Sequence, residues 1–259
     1  MLFELNEFLV CLGLIACSCI AIEIGFRLGL RRRAISDETD RTHISSLQGA
    51  LLGLLALLLG FSFAMAVGRY DARRALVIKE ANAIGTTLLR TEFLPAEQRN
   101  EARKLLRTYV DSRLEFVNAR LDEEWLKKTF TTAASLQAQL WSIATTATTQ
   151  DPRSVPAGLF VTTLNEMIDV SEERVAAFYN NVPQPIIALL VAVSSGALGL
   201  IGYGCGLVGR RHLPSTILFS VLSVMVLIVV LDIDRPRQGL IQVSQGSMLR
   251  LQESLRGGP

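Results

Sequence analysis

The chain has 259 residues, half of them hydrophobic, with 26 Lys or Arg against 24 Asp or Glu. That balance leaves no electrostatic footprint for nucleic acid. The four cysteines, Cys11, Cys17, Cys19 and Cys205, all fall in apolar runs, so the polar regions hold neither a disulfide framework nor a thiolate zinc site.

A bilayer core takes about 20 apolar residues as a helix. The first such run spans about Phe8 to Leu30, with Glu23 and Arg27 as its only charges. It opens on Glu4 and Glu7 without a basic leader. A retained span is therefore expected rather than a cleaved signal, although Leu14-Ile15-Ala16-Cys17 resembles a lipoprotein box. Glu23 is the one carboxylate inside a span. It reads as half of an anchoring pair with Arg27, one turn on, or as a pore or proton-relay group.

The second run, about Ile44 to Gly68, carries no charge. Gly49, Gly53, Ala56, Gly60, Ala64 and Gly68 recur every three or four residues and share one helix face. Small faces let backbones approach in lipid. The same face would suit a narrow pore, with Phe61 and Phe63 as a hydrophobic gate. Arg69, Arg73 and Arg74 follow and would concentrate anions at a pore mouth.

The pattern then becomes amphipathic. Val77, Ala81, Ile84 and Leu88 recur at helical spacing, and nothing breaks the chain before them, so the second span is expected to continue into this stripe. Pro95 starts a new helix with the stripe Leu106, Val110, Val117 and Leu121. Leu136, Leu140 and Ile143 mark a third. Asp151-Pro152 and Pro156 mark a break before Phe160, Leu164, Met167, Val175 and Phe178. The polar run around Glu80 suggests a solvated face or an interhelix hydrogen-bond network.

The third and fourth spans run from about Pro185 to Val208 and from about Leu213 to Leu231. The third is rich in glycine, including Gly202 and Gly206. The fourth ends in Asp232-Ile233-Asp234-Arg235-Pro236-Arg237. These acids and bases would bind an ion at a pore mouth or form local salt bridges where Pro236 stops the helix. A short amphipathic helix is expected from Gln238 on. His43 and His212 stand in no metal-ligand spacing and no nucleophile-base set is visible, so no enzyme and no cofactor is expected.

Three stretches carry a resemblance: Glu80-Ala81-Asn82-Ala83-Ile84-Gly85-Thr86-Thr87, the run Gly202-Tyr203-Gly204 to Arg210-Arg211, and Leu231-Asp232-Ile233-Asp234-Arg235-Pro236-Arg237-Gln238-Gly239. The chain resembles the bestrophin-like family of bacterial membrane proteins. That family is similar to the bestrophins, oligomeric anion channels with four spans, and the resemblance implies a homo-oligomeric channel. It transfers no pore residue one by one.

The expected architecture is all-α. It is an integral membrane protein of the bacterial inner membrane, with four transmembrane helices and a helical extramembrane domain between the second and third. The boundaries are 1–69, 70–182, 183–235 and a tail at 236–259. The short basic loops (Arg31, Arg32, Arg33 and Arg41; Arg210 and Arg211) favour both termini and the extramembrane domain outside, whereas the resemblance implies a cytoplasmic domain. Expected partners are the bilayer, further copies of the chain and a small ion. The competing reading is a membrane-anchored sensor whose helical domain binds a partner.

Overall fold

The computed structural model describes residues 7–118, 123–234 and 241–257. Among the described residues the regular structure is entirely helical: α1 (Glu7–Arg32), α2 (Glu38–Arg90), α3 (Ala96–Asn118), α4 (Glu123–Gln150), α5 (Val155–Tyr179), α6 (Gln184–Val208), α7 (Leu213–Asp234) and α8 (Gly246–Gly257). Four helical stretches are long and apolar enough to cross a membrane. They contain α1, α2, α6 and α7. Helix α2 runs 53 residues without interruption, so the second span does continue into the amphipathic stripe. Helix α7 extends to Asp234, past the expected end at Leu231. Helix α8 begins at Gly246, and Gln238 lies outside the described residues.

The chain divides into two compact units. One comprises residues 1–68 and 181–235, the other residues 69–180 and 236–259. In the first unit, α1 and α6 run side by side in backbone contact. A Cβ on Gly25 would fall on the Gly199 carbonyl oxygen, and one on Gly29 on the Tyr203 carbonyl oxygen. From the other side, Cβ atoms on Gly202 and Gly206 would fall on the carbonyl oxygens of Ile22 and Phe26. Only glycine fits where two backbones meet this closely, which explains four of the glycines of these spans. Helix α6 ends on Gly209 at φ 77°, in the left-handed region, with its amide donating to the Cys205 carbonyl oxygen at 3.0 Å. At the other end of this unit the Val182 amide donates to Asp234 Oδ2 at 2.8 Å, which ties the entry of α6 to the end of α7.

The second unit is a helical bundle whose core follows the expected stripes. Ile84, Leu106, Val110, Leu140, Phe160, Leu164 and Met167 are fully buried. Each such side chain contributes about 1.5–3 kcal/mol of hydrophobic stabilisation. The side chains of Val117 and Leu121 lie outside the described residues. Helix α8 joins this core through Met248 and Leu255. Helix α5 starts at Ser154, whose Oγ accepts from the Ala157 amide at 3.3 Å, with proline in the first turn. A Ser154→Ala variant should lose about 1 kcal/mol, read as a lower melting temperature of the purified chain. An unchanged melt would deny the cap that role.

Candidate functional site

Helix α2 carries most of the residues singled out in the sequence. Within the first unit it buries Leu55, Ser62 and Ala66 on one side. The small face lies about half a turn away. All of Gly49, Gly53, Ala56, Gly60, Ala64 and Gly68 are exposed. A Cβ built on Gly49, Gly53, Gly60 or Gly68 would meet nothing within 4 Å. Among the described residues these four glycines therefore face open space, unlike Gly25 and Gly29 of α1 or Gly202 and Gly206 of α6. Phe61 and Phe63 are both exposed, at 66% and 42%. Two residues turn a helix by about 200°, so the two rings flank the small face on opposite sides and only one can face a given axis.

The three arginines after the span are not equivalent. Arg74 follows Gly60 by about four turns and is exposed on the same phase, as is Asp71 at about three turns. Arg73 is buried at 6% exposure, and Arg69 is half-buried; both are roughly half a turn out of phase with Gly60. Of the three arginines, Arg74 alone shares the phase of the small face.

In the first unit, Glu23 does pair with Arg27, at 2.7 Å. A second arginine also reaches it. Arg211, from the loop after α6, lies 3.0 Å from Glu23 Oε2, and its guanidinium stacks 4.2 Å above the Phe26 ring. The carboxylate thus holds two cations from two elements, and the pair anchors the loop as well as the helix. Asp232 and Asp234 are buried at the end of α7, where Asp234 accepts from Val182 as described. Arg235 and Arg237 lie outside the described residues.

Glu80 is the centre of the second unit. Its exposure is 0%, so the solvated-face reading is excluded. Arg113 of α3 approaches Oε1 at 2.6 Å and Arg174 of α5 approaches Oε2 at 2.5 Å. Tyr109 of α3 donates its hydroxyl to Glu80 Oε1 at 3.3 Å and accepts from Gln137 Nε2 of α4 at 3.1 Å. Arg174 also donates to Gln245 Oε1, just before α8, at 2.9 Å. One carboxylate therefore ties α2, α3, α5 and the segment leading into α8, and reaches α4 through Tyr109. Burial works to raise the Glu80 pKa, but the two guanidinium charges outweigh it and hold the carboxyl below its ordinary value. Burial, followed by the Glu80 charge, pushes the Tyr109 phenol up to about 12.

Arg113, Arg174, Tyr109, Gln137 and Gln245 were not singled out from the sequence, yet the arginines left a trace there. Arg113 stands between Val110 and Val117 on the apolar stripe of α3, and Arg174 follows Met167 and Val170 on the buried face of α5. A cation in a buried phase demands a buried anion. Among the described residues no group of His, Cys, Asp or Glu is placed to hold a metal ion.

A sequence profile described as the Bestrophin-like domain matches residues 15–248. The chain belongs to the bestrophin-like family. No curated protein matches it. Among solved structures, the bestrophin-like chain is similar to a point mutant of a bacterial bestrophin homologue from Klebsiella pneumoniae. The TM-score is 0.63 at 16% identity, covering 90% of this chain and 97% of that one. A point mutant described as a membrane protein gives a TM-score of 0.61 at 17% identity, covering 96% and 97%. At these identities the likeness establishes the bestrophin-like fold.

Proposed function

We propose that the chain is one subunit of a homo-oligomeric channel for small anions, with α2 nearest the axis. The supporting observation is the exposed small face of α2, opposite the helix's buried side, whose glycines have no neighbour within 4 Å among the described residues. In lipid, a glycine and alanine face gains from close approach of another helix, or borders a narrow lumen. A ring of copies around α2 offers both. Bestrophin homologues are known as anion channels, and the family assignment makes conduction the natural use of such a ring.

The charge at the end of this face is mixed. Arg74 attracts anions, while Asp71 on the same phase opposes it. Anion preference should therefore be modest in the native chain. It should rise in Asp71→Asn and fall in Arg74→Gln, measured as reversal potential in planar bilayers under a salt gradient. Gly60→Leu should abolish current while leaving the fold of the single chain intact, because the position is open within it. Absence of current from the native protein across pH, voltage and calcium would sink the proposal. So would a strictly monomeric particle.

A further inference from the structure

Between α2, α6 and α7, at the end of the first unit that carries its arginine-rich loops, lies a cavity of about 550 Å³. That volume falls in the range of sites for small organic ligands. Its mouth is polar, with Arg41 and Ser45 from α2, His212 just before α7 and Ser215 in the first turn of α7. Its lining also includes apolar side chains, among them the buried Leu207 of α6 and the half-buried Phe219 of α7. No carboxylate lines it. Asp37, Glu38 and Asp40 precede Arg41 but are not among the lining residues. The first turn of α7 adds the positive end of a 22-residue helix.

We infer that this cavity binds an anionic phospholipid, with the headgroup phosphate held by Arg41, His212 and Ser215 and the start of an acyl chain laid along Leu207 and Phe219. Three observations favour that occupant. The exposed lining residues Arg41, His212 and Ser215 are polar while Leu207 and Phe219 are apolar and more buried, a pairing that suits the two parts of a phospholipid. The site lies at the ends of α2, α6 and α7, helices in stretches long and apolar enough to cross a membrane, so a bilayer around them would bring its headgroups to this end. Arg31, Arg32, Arg33, Arg210 and Arg211 surround that end of the unit, a density of exposed cations that attracts anionic headgroups. A free phosphate would use the mouth but leave the apolar wall wet. The inference does not depend on conduction, so a silent protein would leave it standing.

The experiment uses the full chain purified in detergent and titrated with phosphatidylglycerol or phosphatidylcholine, with retained lipid counted by native mass spectrometry. Phosphatidylglycerol should bind about tenfold more tightly than phosphatidylcholine. The double variant Arg41→Gln, His212→Gln should lose that preference, while Arg32→Gln, outside the cavity, keeps it. Ser45→Trp should fill the mouth and displace the lipid without changing the oligomer. Equal retention of both lipids, or an unchanged double variant, would overturn the inference. Displacement of phosphatidylglycerol by millimolar inorganic phosphate would overturn it in favour of a free-anion site. Efficient crosslinking of a cysteine at position 45 to a second copy would overturn it in favour of a subunit interface.

Discussion

Glu80→Ala is expected to lower the stability of the second unit by about 3–5 kcal/mol, a large share of what a typical domain has. The substitution leaves two buried guanidinium groups, Arg113 at 1% exposure and Arg174 at 6%, without their common anion. Thermal melts of the purified chain, or protease sensitivity of residues 69–180, would read the loss. A triple variant, Glu80→Leu with Arg113→Met and Arg174→Met, should recover most of it, because an apolar replacement of a whole buried ion cluster is often neutral or better. Glu80→Ala melting like the native chain would refute the cluster's structural role. The pH dependence has a definite sign. The folded-state pKa of Glu80 is depressed, so its stabilisation is full above the ordinary carboxylate value of 4.5. It is lost as pH falls from there through the folded value. The melting temperature of the native chain should therefore drop in acid, and that of the triple variant should drop less.

Gly202→Leu is expected to disrupt the α1–α6 pair and sharply reduce recovery of folded protein. The new Cβ meets the Ile22 carbonyl oxygen, and Ile22 Cα lies 3.1 Å away. Both are backbone atoms of a helix, so no side-chain rotation relieves the clash. Overpacking of this kind costs typically about 1–3 kcal/mol even where side chains can yield. Gly53→Ala provides the contrast, since nothing lies within 4 Å of that position, and it should fold as the native chain does. Size-exclusion yield and melting temperature in detergent compare the two. Equal behaviour would mean that the two helices stand farther apart than described.

The four spans were legible because roughly twenty residues with almost no charge have few soluble uses. The helical bundle was legible for a similar reason: its stripes at 84, 106, 110, 140, 160 and 164 all became core. Pairing was harder to read. Small residues on α2 and on α6 look alike in sequence, yet Gly199, Gly202 and Gly206 of α6 face the backbone of α1 while Gly49, Gly53, Gly60 and Gly68 of α2 are open. Nothing in a single helix's pattern says which neighbour will come. The Glu80 cluster was half legible. Glu80 stood out by its surroundings, but its two arginines did not, because charge on an amphipathic helix usually faces water. Their phase on the buried faces of α3 and α5 was the missed signal. Arg211 escaped because the partner of Glu23 was sought one turn away on the same helix, whereas the second cation arrives from a loop 188 residues later in the chain.

The glycine seam between α1 and α6 also restricts how the membrane part can move. Its contacts advance by four residues on both helices, from Gly25 against Gly199 to Gly29 against Tyr203, and from Ile22 against Gly202 to Phe26 against Gly206. Carbonyl oxygens seated in glycine notches resist sliding, because a partial step would drive them onto neighbouring backbone. The two helices therefore translate and tilt as a single beam. Helix α2 approaches this beam through side chains instead, with Gln48 Nε2 donating to the Leu200 carbonyl oxygen at 2.7 Å and Leu51 Cδ2 standing 3.9 Å from where a Cβ on Gly196 would lie. Side chains can change rotamer and partner where interlocked backbones cannot. Any displacement within the first unit is therefore easier for α2 than for the α1–α6 beam it rests on.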